Sequence, residues 1–224
     1  MARDAFVERL REEGLRRYHH THPFHRRMHD GDLSPAELRR WVVNRYYYQT
    51  RIPIKDALIL AKSEDPGFRR VWICRIHDHD GDDREEGGLA LWWRLGDAVG
   101  IEREVLQSCA RVLPGVRLAC DAYVTLVEKV SLVEAVASSL TEFFAPDLMA
   151  ERIAAWERHY SWVEPQALEY FRVRIPRARR DSESALAFVI QHATSRELQE
   201  RCIGALVKKA EILWHLLDCV AMES

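Results

Sequence analysis

Glycine and proline are scarce in this sequence, 10 and 8 of 224 residues, and they stand between stretches of helical periodicity. No alternating apolar–polar run bounded by turn residues makes a convincing strand, which argues against a sheet architecture. No P-loop and no G-x-G-x-x-G is present, so the chain lacks a dedicated phosphate cradle. The five cysteines (Cys74, Cys109, Cys120, Cys202, Cys219) are scattered and form no C-x-x-C. They read as free buried thiols of a reducing compartment, neither a disulfide framework nor a paired-thiolate zinc site. An excess of one charge is missing too: the formal net charge of -2 gives no reason to expect nucleic acid or an anionic membrane as partner. No apolar run reaches the ~18 residues of a membrane span. The N-terminal MARDAFVERLREEG has no apolar signal core, so a cytoplasmic location is the expectation.

What remains is helix. Ser34-Pro35-Ala36-Glu37 and Ser131-Leu132-Val133-Glu134 are capping boxes. The second of these helices should stop near Ala145-Pro146. Pro66 opens a segment through Ile76, Gly87-Gly88 precede one that stops at Gly100, and Pro165 opens one that ends at Pro176. Ser195 begins the longest, to about Met222. Roughly seven helices and a short N-terminal one are expected, in one all-α compact bundle spanning residues 1–224.

Polar residues sit on the apolar faces of these helices. At 100° per residue, positions i, i+3, i+4 and i+7 share a face. Phe68, Val71, Trp72, Arg75, Ile76 and His79 follow that spacing, while His77 points away. Two histidines one residue apart cannot chelate one ion from a regular helix, so RIHDHDG is weak as a metal site. A binding or relay pair, Arg75 with His79, and a merely structural histidine both stay open. Arg45 and Gln49 intrude on the stripe Leu38, Trp41, Val42, Tyr48, Ile52. Arg152 lines up with Leu148, Ala155, Trp156 and His159. Tyr170 lies one turn from Arg174, and Lys209 falls inside the stripe from Cys202 to Leu216, whereas Lys208 faces out. Ala135, Ser138, Ser139 and Glu142 form a small-residue strip ending in the one carboxylate on such a face.

Singly, each cation could lay its stem along apolar surface with its head in water. As a set, Arg45, Arg75, Arg152, Arg174 and Lys209 come from five helices, and burial of five unpaired cations would exceed a domain's net stability of ~5–15 kcal/mol. They reach solvent, or they line a wet pocket whose anion is a ligand. Guanidinium forks suit carboxylates, which points to a small polycarboxylate. The stretch RYHHTHPFHRRMHDGD adds five histidines. It could be a metal tract by composition, but its spacing matches no zinc signature, and a pocket of His and Tyr donors is favoured.

The segments RYHHTHPFH, NRYYYQTRIPIKD, RIHDHDG, GVRLACDAY, SSLTEFFAP and YFRVR, in that order, resemble the pyrroloquinoline-quinone synthase family. The resemblance runs from about Tyr18 to the C-terminus. It implies a seven-helix bundle like that of haem oxygenase and the TenA thiaminases, usually a homodimer. It implies an oxidase without metal or organic cofactor, closing a ring of a bicyclic amino-acid-derived polycarboxylate and oxidising it with O₂ as co-substrate, with release of hydrogen peroxide. The catalytic positions it implies are His79, Tyr170 and Arg174. The substrate-contacting ones are Tyr18, His19, Arg45, Gln49, Lys55, Arg75, Tyr123, Glu142, Arg152 and Lys209. Met149 stands where some members carry a histidine beside the oxygen site, which leaves His79 and Tyr170 as candidate donors to a peroxide. The sequence ends at Ser224, earlier than some relatives, so any pocket contact from a longer tail is expected to be missing or replaced.

Three rivals are weighed against this. A metal-dependent, di-iron oxidase of the same helical superfamily would want Asp and His where Tyr170 and Arg174 stand. A thiaminase-like hydrolase would want a nucleophilic cysteine partnered on the pocket face, and Cys74, Cys109 and Cys120 have no obvious partner. A non-catalytic binding module would share the pocket without the chemistry.

Overall fold

The capping boxes form as the sequence dictates. Ser34 accepts from the Glu37 amide while the Glu37 carboxylate accepts from the Ser34 amide, and Ser131 and Glu134 do the same. In the computed structural model, which describes residues 1–222, the helices in chain order are α1 (Arg3–Arg17), α2 (Pro23–Asp30), α3 (Pro35–Ala61) and α4 (Pro66–Trp72). Next come α5 (Cys74–Asp80), α6 (Gly88–Ala98), α7 (Arg103–Ser108) and α8 (Pro114–Lys129). The series closes with α9 (Leu132–Ser138), α10 (Ala145–His159), α11 (Glu169–His192) and α12 (Arg196–Ala221). Short 3₁₀ segments lie at His19–Thr21, Ser139–Phe144 and Pro165–Leu168. The all-α bundle holds. The chain's end at Ser224, where a shortened tail was expected to matter, lies outside the described residues.

The helix count is higher than the periodicity suggests because continuous stripes are broken. The Pro66 segment divides at Ile73, runs on to Asp80, and leaves Val71 exposed rather than in the stripe. The Ser131 helix tightens into 3₁₀ from Ser139 and α10 follows directly with Pro146 in its first turn. His159, placed on the apolar face by spacing, is exposed.

The expected stop at Pro176 is wrong: α11 continues to His192 with Pro176 inside it. A proline removes one backbone donor from an otherwise complete ladder. Here burial of Phe171, Ala178, Ala185 and Val189 on both sides of it outweighs that loss. The longest helix is α3, at 27 residues, which likewise carries Pro53 internally.

α12 packs against α9, α8 and α1; α10 lies on α11; and α3 lies on α8, α5 and α6. Trp41, Trp92, Trp156 and Phe171 meet ring to ring at 5.7–6.4 Å between centroids where α3, α6, α10 and α11 converge. This aromatic floor makes a rigid base for the polar residues one turn further along the same helices. No described helix is long and apolar enough to cross a membrane.

Candidate active site

The faces that carried misplaced charges meet. Tyr18 and His19 (after α1), Arg45, Tyr48, Gln49 and Ile52 (α3), and His79 (α5) line one internal cavity. So do Thr141, Glu142 and Ala145, Leu148, Met149 and Arg152 (α10), Tyr170 and Arg174 (α11), and Leu213 (α12). Its volume is about 60 Å³. That is room for a few water molecules. A wider, open groove of about 820 Å³ runs along α1 beside Phe143, Phe144, Leu186 and Ile190, but none of the expected site residues lines it.

Nine of the thirteen expected residues are thus on the wall. The other four, Lys55, Arg75, Tyr123 and Lys209, stand one layer behind it, all buried. Arg75 donates to Glu142 at 2.9 Å and to the Asp181 carbonyl at 2.6 Å, with its guanidinium 4.0 Å from the centre of the Trp72 ring. Lys55 Nζ lies 2.6 Å from Asp56 and 3.1 Å from Ser139 Oγ. The Lys209 amine stands over the faces of Tyr123 and Tyr48, 3.5 and 4.2 Å from the ring centres.

Glu142 is not the sole counter-charge, contrary to the reading of the faces. Arg174 is ringed by Asp181 (3.5 Å), Asp78 (3.7 Å) and Glu142 (3.7 Å). Asp181 was missed because α11 was cut at Pro176, although it lies seven residues beyond Arg174 on the same face. Asp78 was missed because it neighbours the stripe; Arg177 and Arg180 reach over it at 3.2 and 2.5 Å. Burial tends to raise the carboxyl pKa of Asp181, but Arg75 and Arg174 overcome this and hold it below its ordinary value.

The remaining cations are poorly compensated. Arg45 and Arg152 have no ion pair among the described residues, and each instead lies over a ring: Arg45 over Tyr48 at 4.1 Å, Arg152 over Trp41 at 4.9 Å. Burial and then Arg45 push the pKa of Arg152 down to about 9 and that of Lys209 well below the ordinary lysine value. His19 Nε2, Arg152 Nε, Arg174 Nη1 and Lys209 Nζ are all buried without a hydrogen-bond acceptor. Orphaned donors of this kind cost free energy in the empty protein that an anionic ligand would return.

His79 is held by its own helix. Its Nδ1 lies 3.0 Å from the Arg75 carbonyl. A carbonyl only accepts, so Nδ1 carries the proton and Nε2 keeps a lone pair. Burial and then Arg174 push His79 down to about 3, so in the empty site it is neutral near pH 7 with its lone pair free but weakly basic, and the negative charge of a bound acid would raise it toward the range a general base needs. Tyr170 donates to Gln49 Oε1 at 2.7 Å, and burial raises its pKa. Its ring packs edge-on against Trp92 at 4.8 Å and lies flush against Gly88, where a Cβ would come 3.0 Å from the ring. Gly81, which ends the RIHDHDG motif, has φ 88°, a conformation glycine supplies without strain.

The histidine tract divides into separate tasks. His22 caps α2 by accepting from the Phe24 amide and donates from Nε2 to Asp218 at 3.0 Å. His20 donates to the Tyr18 carbonyl. His29 is half-buried beside Glu151 at 3.6 Å. His19 alone of the five reaches the cavity. Among the described residues no three His, Cys, Asp or Glu side chains are grouped as metal ligands, and no cysteine lines the cavity.

The model of the TENA/THI-4/PQQC family matches residues 8–218. The pyrroloquinoline-quinone synthase of Pseudomonas aeruginosa strain PAO1 is 49% identical over 222 residues, covering 99% of this chain and 88% of that protein. That of Rhizobium meliloti is 49% identical over 218 residues, covering 97% and 85%. Among solved structures, a haem-oxygenase-like domain of unknown function from Shewanella denitrificans superposes with a TM-score of 0.80 at 14% identity, over 100% of this chain and 93% of that one. A TenA homologue from Pyrococcus horikoshii gives 0.75 at 10% identity, over 98% and 99%. At such low identity these two structures speak for the fold alone.

Proposed function

The chain belongs to the TENA/THI-4/PQQC family, and from that premise we propose that it is an enzyme of pyrroloquinoline quinone biosynthesis, acting as a pyrroloquinoline-quinone synthase. The likeness to two such synthases at 49% identity over nearly the full chain supports this reading. The reaction is ring closure and oxidation of a bicyclic polycarboxylate precursor, with O₂ as co-substrate and no bound metal or organic cofactor. The observation that carries the substrate class is the convergence on one buried hollow of the unpaired His19 and Arg152 donors and the Arg45 guanidinium, which has no ion pair among the described residues, with the unpaired Lys209 amine one layer behind. Carboxylates are the groups that planar guanidinium donors bind best.

The chemistry follows from the side chains. His79 Nε2 takes a proton from carbon next to a carbonyl. The surrounding Arg and Lys groups stabilise the anion in a water-poor site. The electron-rich, quinol-like anion then reduces dioxygen directly: two electrons leave the ring, and O₂ with two protons becomes hydrogen peroxide. Arg174 balances the charge that develops on oxygen, with the Tyr170 hydroxyl as a nearby donor. The homodimer implied by the sequence resemblance, and the cytoplasmic location expected from the scattered cysteines and the N-terminal sequence, belong to the same proposal.

The test is oxygen consumption by the purified protein on addition of the bicyclic precursor, followed together with quinone absorbance and peroxide release. Binding of the precursor with no oxygen uptake would make the protein a carrier instead. Activity that tracks stoichiometric iron would favour the metal-dependent rival.

A further inference from the structure

One member of the histidine tract has no part in the chemistry above, yet it sits fully buried between two residues of the cavity wall. His25, on α2, touches Arg152 on one side and His19 on the other. Arg152 Nη2 lies 3.3 Å from His25 Nε2. A guanidinium can only donate, so that ring nitrogen must accept and holds no proton. His25 therefore carries its proton on Nδ1, which lies 3.0 Å from the His19 carbonyl and 3.3 Å from His19 Nδ1. Two N–H groups cannot face each other at that distance, so His19 Nδ1 presents its lone pair and the proton of His19 resides on Nε2. His19 Nε2 is the buried nitrogen without an acceptor.

We propose that His25 is a positioning residue: held by Arg152, it locks His19 in the Nε2–H tautomer, so that His19 offers the cavity a hydrogen-bond donor. The two histidines on the wall are then opposites. The Arg75 carbonyl gives His79 a lone pair toward the ligand; Arg152, through His25, gives His19 a proton. A ring nitrogen set by the hydrogen bond at the other nitrogen is a common device for fixing histidine function. Burial comes first, and the cations Arg45 and Arg152 second, in keeping His19 well below its ordinary pKa, so the donor is a neutral imidazole. His25 is kept neutral by burial, then Arg152 and His19. The ligand group facing His19 is thus an acceptor, a carboxylate or quinone oxygen. That identification, and the kinetic arm below, rest on the proposed synthase reading; the tautomer does not.

The experiment uses the full chain labelled with ¹⁵N-histidine. Long-range ¹H–¹⁵N correlation spectra near neutral pH report which ring nitrogen bears hydrogen, and the His19 signals are identified by their loss in His19→Gln. The expected pattern for His19 is neutral with the proton on Nε2. A proton on Nδ1, or an imidazolium, overturns the proposal whatever the protein's activity. In variants, His25→Asn keeps an amide donor where Nδ1 stood, and His25→Leu keeps none. His25→Leu should lose the Nε2–H pattern and about tenfold in kcat, the scale seen when such orienting partners are removed. His25→Asn should recover most of both. Equal spectra in wild type and His25→Leu would show that His25 does not set the tautomer. Should His25→Leu fail to fold, the wild-type and His25→Asn spectra still decide. An Nε2–H pattern in a protein that does not turn over the precursor would leave the positioning intact and refute only the synthase reading.

Discussion

Replacing Lys209 by methionine should make the ligand-free protein more stable and a poorer binder. Lys209 is 1% exposed, its amine has no ion pair among the described residues, and the like charges Arg45 and Lys55 each act on it more strongly than the carboxylate of Glu142. Its pKa is depressed well below the ordinary 10.5, first by burial and then by Arg45. In the interval between the folded and unfolded pKa values the unfolded chain holds the proton that the folded chain has lost. Stability therefore climbs as pH rises through that interval, by up to about 1.4 kcal/mol per pH unit. At pH 7 the folded protein bears the cost of keeping an amine out of water, which falls on the charged form first. Methionine removes that cost but must repack against Tyr123 and Tyr48, which for a swap of similar volume costs less than about 1.5 kcal/mol, so the variant is expected to be the more stable. Urea unfolding at pH 7, 8 and 9 measures it. Wild type should gain on Lys209→Met as pH rises across that range, by no more than about 1.4 kcal/mol per pH unit. Parallel pH dependence in the two proteins, or a methionine variant less stable at pH 7, would refute the idea that Lys209 is held without its proton. A polyanionic ligand should restore the proton, seen as net proton uptake when binding heats are compared in buffers of different ionisation enthalpy.

Three further outcomes are expected. His79→Ala should lower kcat by about 100-fold or more while precursor affinity stays close to wild type; steady-state oxygen uptake and equilibrium binding check this, and unchanged turnover removes His79 from the mechanism. Asp181→Asn should cost about 3 kcal/mol at pH 7 by leaving Arg75 and Arg174 less well paired. Because the folded-state pKa of Asp181 lies below its unfolded value, the deficit should be full above the ordinary carboxylate range and shrink as pH falls through the folded value, which acid titration of both proteins would follow. Gly88→Ala forces a methyl to within 3.0 Å of the Tyr170 ring and 3.3 Å of the Asp78 carbonyl. About 1–3 kcal/mol of destabilisation should follow. Thermal unfolding measures it, and a melting temperature equal to wild type would show that Tyr170 moves aside freely.

Much of the site was legible because helical geometry is strict. A charged residue at i, i+3 or i+4 from buried aliphatics has to go where they go, and Arg152, Arg174, Gln49 and Lys209 did so. The same rule turned His77 outward, where it is exposed, and His79 inward. Lys55 came only through family resemblance, while Tyr18, His19 and Tyr123 were flagged by composition as pocket donors and singled out only by the resemblance. Compensation was harder to read. Asp181 was lost to the assumption that Pro176 ends its helix, though the i+7 interval from Arg174 was visible. Asp78 sits beside the stripe rather than on it, and its role depends on Arg177 and Arg180 of a helix a hundred residues later. The work of His25 could not be inferred from a cluster of five histidines, because the partner that selects it, Arg152, lies 127 positions away.

The hollow that these residues enclose has room for about 60 Å³ of guest. Dioxygen fits such a space as it stands; a fused-ring acid does not. Side chains of the wall must therefore give way as the acid seats, so the guest shapes the hollow that it comes to fill.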